Sequence, residues 1–269
     1  MGYQHIEVGR ESHIGTIWLN RPDKLNALSE DMWHDLPLAV AELDADDDVR
    51  VILLAGRGRA FSVGIDVQLL AALRPEGPSP AVTAQKINSV VKRMQGTVNS
   101  LADAAKPVIA AVHGHCLGAG ANLISACDIR IAAADASFSI RETRMGLVAD
   151  VGALQRLPAI VGNGVTVEMA LTGADYPAEW ALEKGLVTAV YDDQEALMTG
   201  ALELAGTIAA NSPLVTQGIK RIIQANDGRT VEQALDYMAQ WNASYLVSND
   251  LTEAMTAFLE KRDPDYTGT

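Results

Sequence analysis

Between residues 107 and 156 the chain reads PVIAAVHGHCLGAGANLISACDIRIAAADASFSIRETRMGLVADVGALQR, and this stretch constrains the fold more than any other. Pro107–Val112 is a short apolar run bounded by Lys106 and His113, the pattern of a strand buried on both faces. A Gly-rich connection over Gly114–Gly120 leads into a helix. Residues 128–133 and 137–140 resume strand character, and a segment carrying Glu142 and Asp150 follows. A buried strand that runs through a tight glycine turn into a helix implies a parallel sheet with helices packed on it.

The flanking sequence extends that pattern. Residues 3–8 and 12–19 alternate as paired strands, with a tight turn expected near Gly9–Arg10. Ser29 is placed to cap a helix whose apolar face is Met32, Leu36, Ala39, Val40 and Leu43, with Pro37 weakening its middle. The acidic run Asp44–Asp48 reads as a solvated loop and Val49–Ala55 as a buried strand. GRGRAFSVGIDV at 56–67 is a second glycine loop, and RPEGPSP at 74–80 a flexible surface break. A long helix is expected over 81–104. After Gly152 the pattern is helical apart from a strand at 186–191, and no repeat of fixed period is present.

Composition narrows the function classes. The 269 residues are 48% hydrophobic and 20% charged, enough for a sizeable core in one large domain or a domain with an appendage. The net charge of −13 argues against a nucleic-acid or anionic-membrane surface. Cys116 and Cys127 are two buried free thiols on this reading, with no metal spacing. The first residues have no apolar h-region and no run is long enough to span a bilayer, so a cytoplasmic, soluble protein is expected.

Three features carry candidate chemistry. The 114–120 loop does not fit G-x-G-x-x-G, so its glycines either permit close packing or leave free N–H groups facing a pocket. Ala119 and Asn122 share a helix face, and the loop Ser62–Ile65 offers a second set of donors. Glu142, between Arg141 and Arg144, reads as a surface ion pair or a pocket acid. Asp150, in the apolar run GLVADVGAL, reads as a cap for a helix beginning near Gly152 or as a pocket acid with a raised pKa. His113 and His115 lack a third ligand and read as turn or core residues.

The motifs LNRPDKLNAL (19–28), GRAFSVGIDV (58–67), HGHCLGAGANLISACDIR (113–130), MGLVADVGALQRLPAIVGN (145–163), TGADYPAEWALEKGLVTAV (172–190) and SPLVTQGIK (212–220) together resemble the crotonase, or enoyl-CoA hydratase/isomerase, superfamily over nearly the whole chain. The resemblance implies an α/β spiral of ββα repeats over 1–195, and a C-terminal helical region over 196–269 that assembles trimers or hexamers. It implies an acyl-CoA thioester partner and no metal or separate cofactor. The backbone N–H groups of Ile65 and Ala119 would form the oxyanion hole, and Lys24, Ala27, Val63, Asp66, Gly118 and Lys261 would bind substrate and its CoA, Lys261 and Arg262 reaching the ligand of a neighbouring subunit. Gln68 stands where the family often has Lys.

Hydratases of the superfamily carry glutamates matching Asn122 and Glu142, and usually Gly where this chain has Asp150. GLVADVGALQRLP is more similar to the 3,5-2,4-dienoyl-CoA isomerases, in which the residues matching Glu142 and Asp150 are the acid/base pair. Those isomerases usually have Asp at the Asn122 position. The resemblance therefore implies dienoyl isomerisation, with Glu142, Asp150 and Asn122 in the catalytic group. Enoyl-CoA hydration and a catalytically weakened acyl-CoA-binding protein are the alternatives, and residues 71–100 are expected to border the acyl end of the site.

Overall fold

A computed structural model describes residues 2–72 and 76–269. The chain opens with a hairpin of β1 (Ile6–Glu11) and β2 (Ile14–Leu19), antiparallel with Glu11 opposite Ile14. The turn is at Ser12–His13, not at Gly9–Arg10 as expected. Both turn residues take positive φ, 48° and 68°, which suits a two-residue hairpin and needs no glycine. Gly9 lies inside β1.

Helix α1 (Glu30–Asp44) is capped by Ser29 and runs unbroken through Pro37. All five expected apolar residues are buried, with Trp33 beside them. The acidic run after it is more than solvated loop. Asp44 accepts the backbone N–H groups of Ala105 and Lys106, and Asp46 pairs with Arg10.

Strand β3 (Val51–Gly56) follows, then α2 (Val67–Ala72) and the long α3 (Pro80–Asp103). The start of the expected 74–80 break lies outside the described residues. Next come β4 (Val108–Val112), β5 (His115–Leu117) and α4 (Ala119–Ser125). The glycine connection is thus itself half strand, because His115–Leu117 pairs in register with β7 (Ser137–Ser139), which follows β6 (Ile129–Ala133).

The remainder is helical: α5 (Ala153–Val161), α6 (Asn163–Thr172), α7 (Ala178–Glu183), α8 (Gln194–Ala209), α9 (Pro213–Ala225), α10 (Val231–Tyr245) and α11 (Asn249–Glu260). Only β8 (Tyr176–Pro177) and β9 (Val190–Tyr191) interrupt it. The strand expected over 186–191 shortens to Val190–Tyr191, which pairs with Ala132 and Ala133, while Thr188 makes a single backbone bond to Arg130 O.

Two sheets result. The larger has the order β1-β2-β3-β4-β6-β9, parallel except for the first pair, and the smaller the order β5-β7-β8. Two successive stretches of chain give one strand to the large sheet and the next to the small one, β4 then β5 and β6 then β7. Alternation along β3 assigns its two faces. Ile52 and Leu54 join the main core under α1 and α3, while Val51, Leu53 and Ala55 meet Leu197, Ala201, Ala205 and Ala209 of α8. The expected boundary at 195/196 therefore falls inside a helix that covers the rear of the sheet, and α9–α11 lie beyond it.

Candidate active site

The two glycine loops meet. Ser62 bridges to Cys116 as an added residue of the small sheet, donating its N–H to His115 O at 2.9 Å and accepting Leu117 N–H at 2.9 Å. Its hydroxyl donates to Asn26 O and accepts Gly64 N–H. Gly64 has φ +93°, and a Cβ there would stand 2.8 Å from Leu117 O and 3.1 Å from Ala119 N. Only glycine lets the strands approach so closely.

Ala119 opens α4 with Gly118 as its cap residue, so its N–H has no intrahelical acceptor. The neighbours of Ile65 are committed, Gly64 O and Asp66 N both bonding to Leu28. Among the described residues neither the Ile65 nor the Ala119 N–H has an acceptor, and both residues line one pocket. Two free donors from adjacent loops are what a developing oxyanion requires.

The pocket, about 770 Å³, is bounded by α2, α3, both loops and residues 141–151. Ile87, Val90, Val91 and Met94 of α3 form its apolar wall, within the 71–100 segment expected to border the acyl end. Glu142 and Asp150 both line it. Glu142 sits on a 3-10 turn after β7, its carboxylate against Gly118, where a Cβ would meet it at 3.8–3.9 Å. Arg141 pairs with Asp175 instead, so the surface ion-pair reading of Glu142 does not hold. Glu142 Oε2 is buried with no partner among the described residues. Burial pushes this carboxyl above its ordinary value and the charge of Asp150 adds to the rise, while a backbone bond and the Asn122 amide pull it down.

Asp150 is no helix cap. The cap residue of α5 is Gly152, without a side-chain bond, and burial raises the Asp150 carboxyl too. The cap for α5 comes from Asn122, whose Oδ1 accepts Ala153 N–H at 2.6 Å. Its Nδ2 donates to Gly118 O at 3.0 Å and to Glu142 Oε1 at 2.9 Å. Asn122 is 0% exposed, and each of its side-chain bonds goes to a protein group, Glu142 among them. No sequence signal marked this cap, because Asn122 and Ala153 are 31 residues apart.

The remaining expected residues divide. Lys24, Ala27, Val63, Asp66 and Gly118 line the pocket, as does Gln68. Asp66 is tied to Arg21 at 2.6 Å, and that guanidinium holds its carboxyl below the usual range. Lys261 caps the end of α11 and is not brought to this pocket; Arg262 is held by Glu253 and Glu260. His113 is buried and bonded to Gly58 O, a turn histidine, while His115 lies at the pocket edge. Among the described residues no three His, Cys, Asp or Glu side chains are grouped as a metal requires.

Comparison with known proteins turns this geometry into a family assignment. The family model for enoyl-CoA hydratase/isomerase matches residues 9–269. The chain belongs to the enoyl-CoA hydratase/isomerase family. Within that family it is 39% identical to the peroxisomal Delta(3,5)-Delta(2,4)-dienoyl-CoA isomerase of Arabidopsis thaliana, over 98% of this chain and 97% of the relative. It is 38% identical to the mitochondrial Delta(3,5)-Delta(2,4)-dienoyl-CoA isomerase of Mus musculus, over 97% of this chain and 81% of the relative. Among solved structures, the enoyl-CoA hydratase of Bacillus anthracis superposes with a TM-score of 0.90 at 32% identity, covering 99% of this chain and 100% of that one. The crotonase fold and an enzyme of this family follow, as the sequence motifs implied. No described helix is long and apolar enough to cross a membrane.

Proposed function

We propose that this enzyme isomerises 3,5-dienoyl-CoA to 2,4-dienoyl-CoA. The observation that carries the reading is the pair of acids, Glu142 and Asp150, on one apolar pocket, with an amide at position 122. Shifting both double bonds removes a proton from C2 and adds one to C6, so two proton carriers along the acyl chain are needed. Glu142, beside the Gly118–Ala119 loop, takes the C2 proton. The electron pair moves into a dienolate whose oxygen is held by the Ile65 and Ala119 N–H groups. Asp150 delivers its proton at C6, and exchange with solvent resets both acids. Asn122 holds Glu142 in place, and its amide cannot carry a proton. No cofactor beyond the CoA of the substrate takes part, and Lys24 at the pocket edge meets the CoA phosphates.

The assay is the rise of 2,4-dienoyl-CoA absorbance from a 3,5-dienoyl-CoA. Asp150→Asn should lower kcat by about 10²–10⁴. Wild type without turnover, or Asp150→Asn at full rate, would sink the proposal. The likeness to solved hydratases supports a second reading, hydration of 2-enoyl-CoA. Crotonyl-CoA hydration faster than dienoyl isomerisation on one preparation would favour it.

The family resemblance also supports a homotrimer or a pair of trimers. Ile219, Ile223, Leu235, Val247, Phe258 and Leu259 on and between α9–α11 stand exposed, Phe258 by 83%, and a neighbouring copy would cover such a surface. A monomer in sedimentation equilibrium would refute that. Cytoplasmic residence is part of the proposal, against relatives named as peroxisomal and mitochondrial, and cell fractionation tests it.

A further inference from the structure

The Asp150 carboxylate accepts no hydrogen bond from another residue among the described ones, so its aim is set by its backbone. Three contacts clamp that backbone. Gln95 of α3 donates its Nε2–H to Asp150 O at 2.7 Å across 55 residues of sequence. Gly152, at φ +127°, lies under the Arg156 guanidinium, where a Cβ would stand 2.0 Å from Nη1. Arg156 Nη2 in turn donates to Asn99 Oδ1 at 2.5 Å. Asn122 Oδ1 holds the Ala153 N–H at 2.6 Å, three residues after Asp150. Val91, Gln95 and Asn99 follow one another at four-residue steps on a single stripe of α3. The first lines the acyl wall and the other two grip the segment bearing Asp150.

We propose that Gln95 is a positioning residue for Asp150, fixing the backbone from which that acid reaches the acyl chain; this rests on the reading of Asp150 as a proton carrier. The Asn99–Arg156 contact is the second rung of the same strut. A carbonyl at the pocket rim could be left to water, which would solvate it equally well and hold it less firmly. A glutamine that spans from the acyl wall instead ties the acid to the surface against which the chain is laid. Displacing a reacting group by about 1 Å costs up to about 10²-fold in rate, so the loss of one of three clamps should cost about tenfold.

The test uses steady-state isomerisation of a 3,5-dienoyl-CoA. Gln95→Leu keeps the bulk and removes the donor; it should lower kcat about tenfold, leave KM within about twofold and leave the thermal midpoint in place. Gln95→Lys, which can donate to the same carbonyl, should recover most of the rate. In an Asp150→Asn background Gln95→Leu should cost nothing more, because its effect passes through Asp150. A Gln95→Leu enzyme at wild-type kcat while Asp150→Asn is crippled overturns the proposal and leaves the isomerase reading standing. Multiplicative losses in the double variant, or a Gln95→Lys as slow as Gln95→Leu, overturn it too. Full turnover by Asp150→Asn overturns both readings together.

Discussion

Replacing Asn122 by Asp changes one group in the most densely bonded part of the site, and its consequence can be worked out. Asn122 Oδ1 accepts Ala153 N–H, and an aspartate keeps that bond. The other arm is different: Nδ2 now donates to Glu142 Oε1 at 2.9 Å, and aspartate puts an oxygen there. Two ionised carboxylates about 4 Å apart repel by roughly 4 kcal/mol at an effective dielectric of 20. One proton must therefore be retained between them until higher pH. The base acts only when ionised, so kcat/KM climbs with pH through its titration, and raising that titration moves the climb upward. Allowing for relaxation, the ascending limb should shift up by about 1–3 pH units toward the descending limb set by loss of the Asp150 proton, so the bell-shaped profile narrows from its acid side. The assay is dienoyl isomerisation from pH 5 to 9, with a melting curve at each pH. Superimposable profiles for the two proteins would refute the role assigned to the amide.

Two further outcomes follow from the same geometry. Gly64→Ala must open the contact with Leu117 O and Ala119 N while adopting a φ of +93° that L-residues disfavour, so kcat should fall about 10²–10³ through a displaced oxyanion donor; kcat within threefold of wild type would show that the loops do not act as a pair. Glu142→Gln should abolish most isomerisation yet raise the melting temperature at pH 7–8 by about 1–3 °C. Burial raises the folded carboxyl, so the wild type is most stable below the ordinary glutamate range and loses stability as pH climbs through the raised value. The gain should accordingly vanish near pH 4, and a gain that persists there would count against the assignment of cause.

What could be read from the sequence was whatever local pattern controls. Ser29 and the apolar stripe behind it gave α1, the apolar runs gave β3 and β4, and the motifs around Gly64 and Gly118 gave the two loops. Pro37 misled as to continuity, because a packed apolar face outweighs one lost backbone bond. The hairpin turn was misplaced by following glycine, whereas Ser12 and His13 take the left-handed angles. At the site, Glu142 and Asp150 stood out by type and setting. Their supports did not: the Asn122 cap, the Gln95 tether and the Asn99–Arg156 pair each join residues between 31 and 57 positions apart. Such partners are fixed by how the spiral stacks its turns, and nothing in their immediate neighbours announces them.

The stitching of the Ser62–Ile65 loop into the small sheet also sets how its amides meet solvent. Ser62, Leu117 and Gly118 N–H groups are all bonded in a continuous ladder. Ile65 and Ala119 follow directly after that ladder on the two loops, and among the described residues their N–H groups have no acceptor. In hydrogen–deuterium exchange these two should trade protons quickly from the folded state, amid neighbours that exchange only when the sheet opens. A bound thioester would then act as the missing rung, slowing two isolated amides without altering the strands around them.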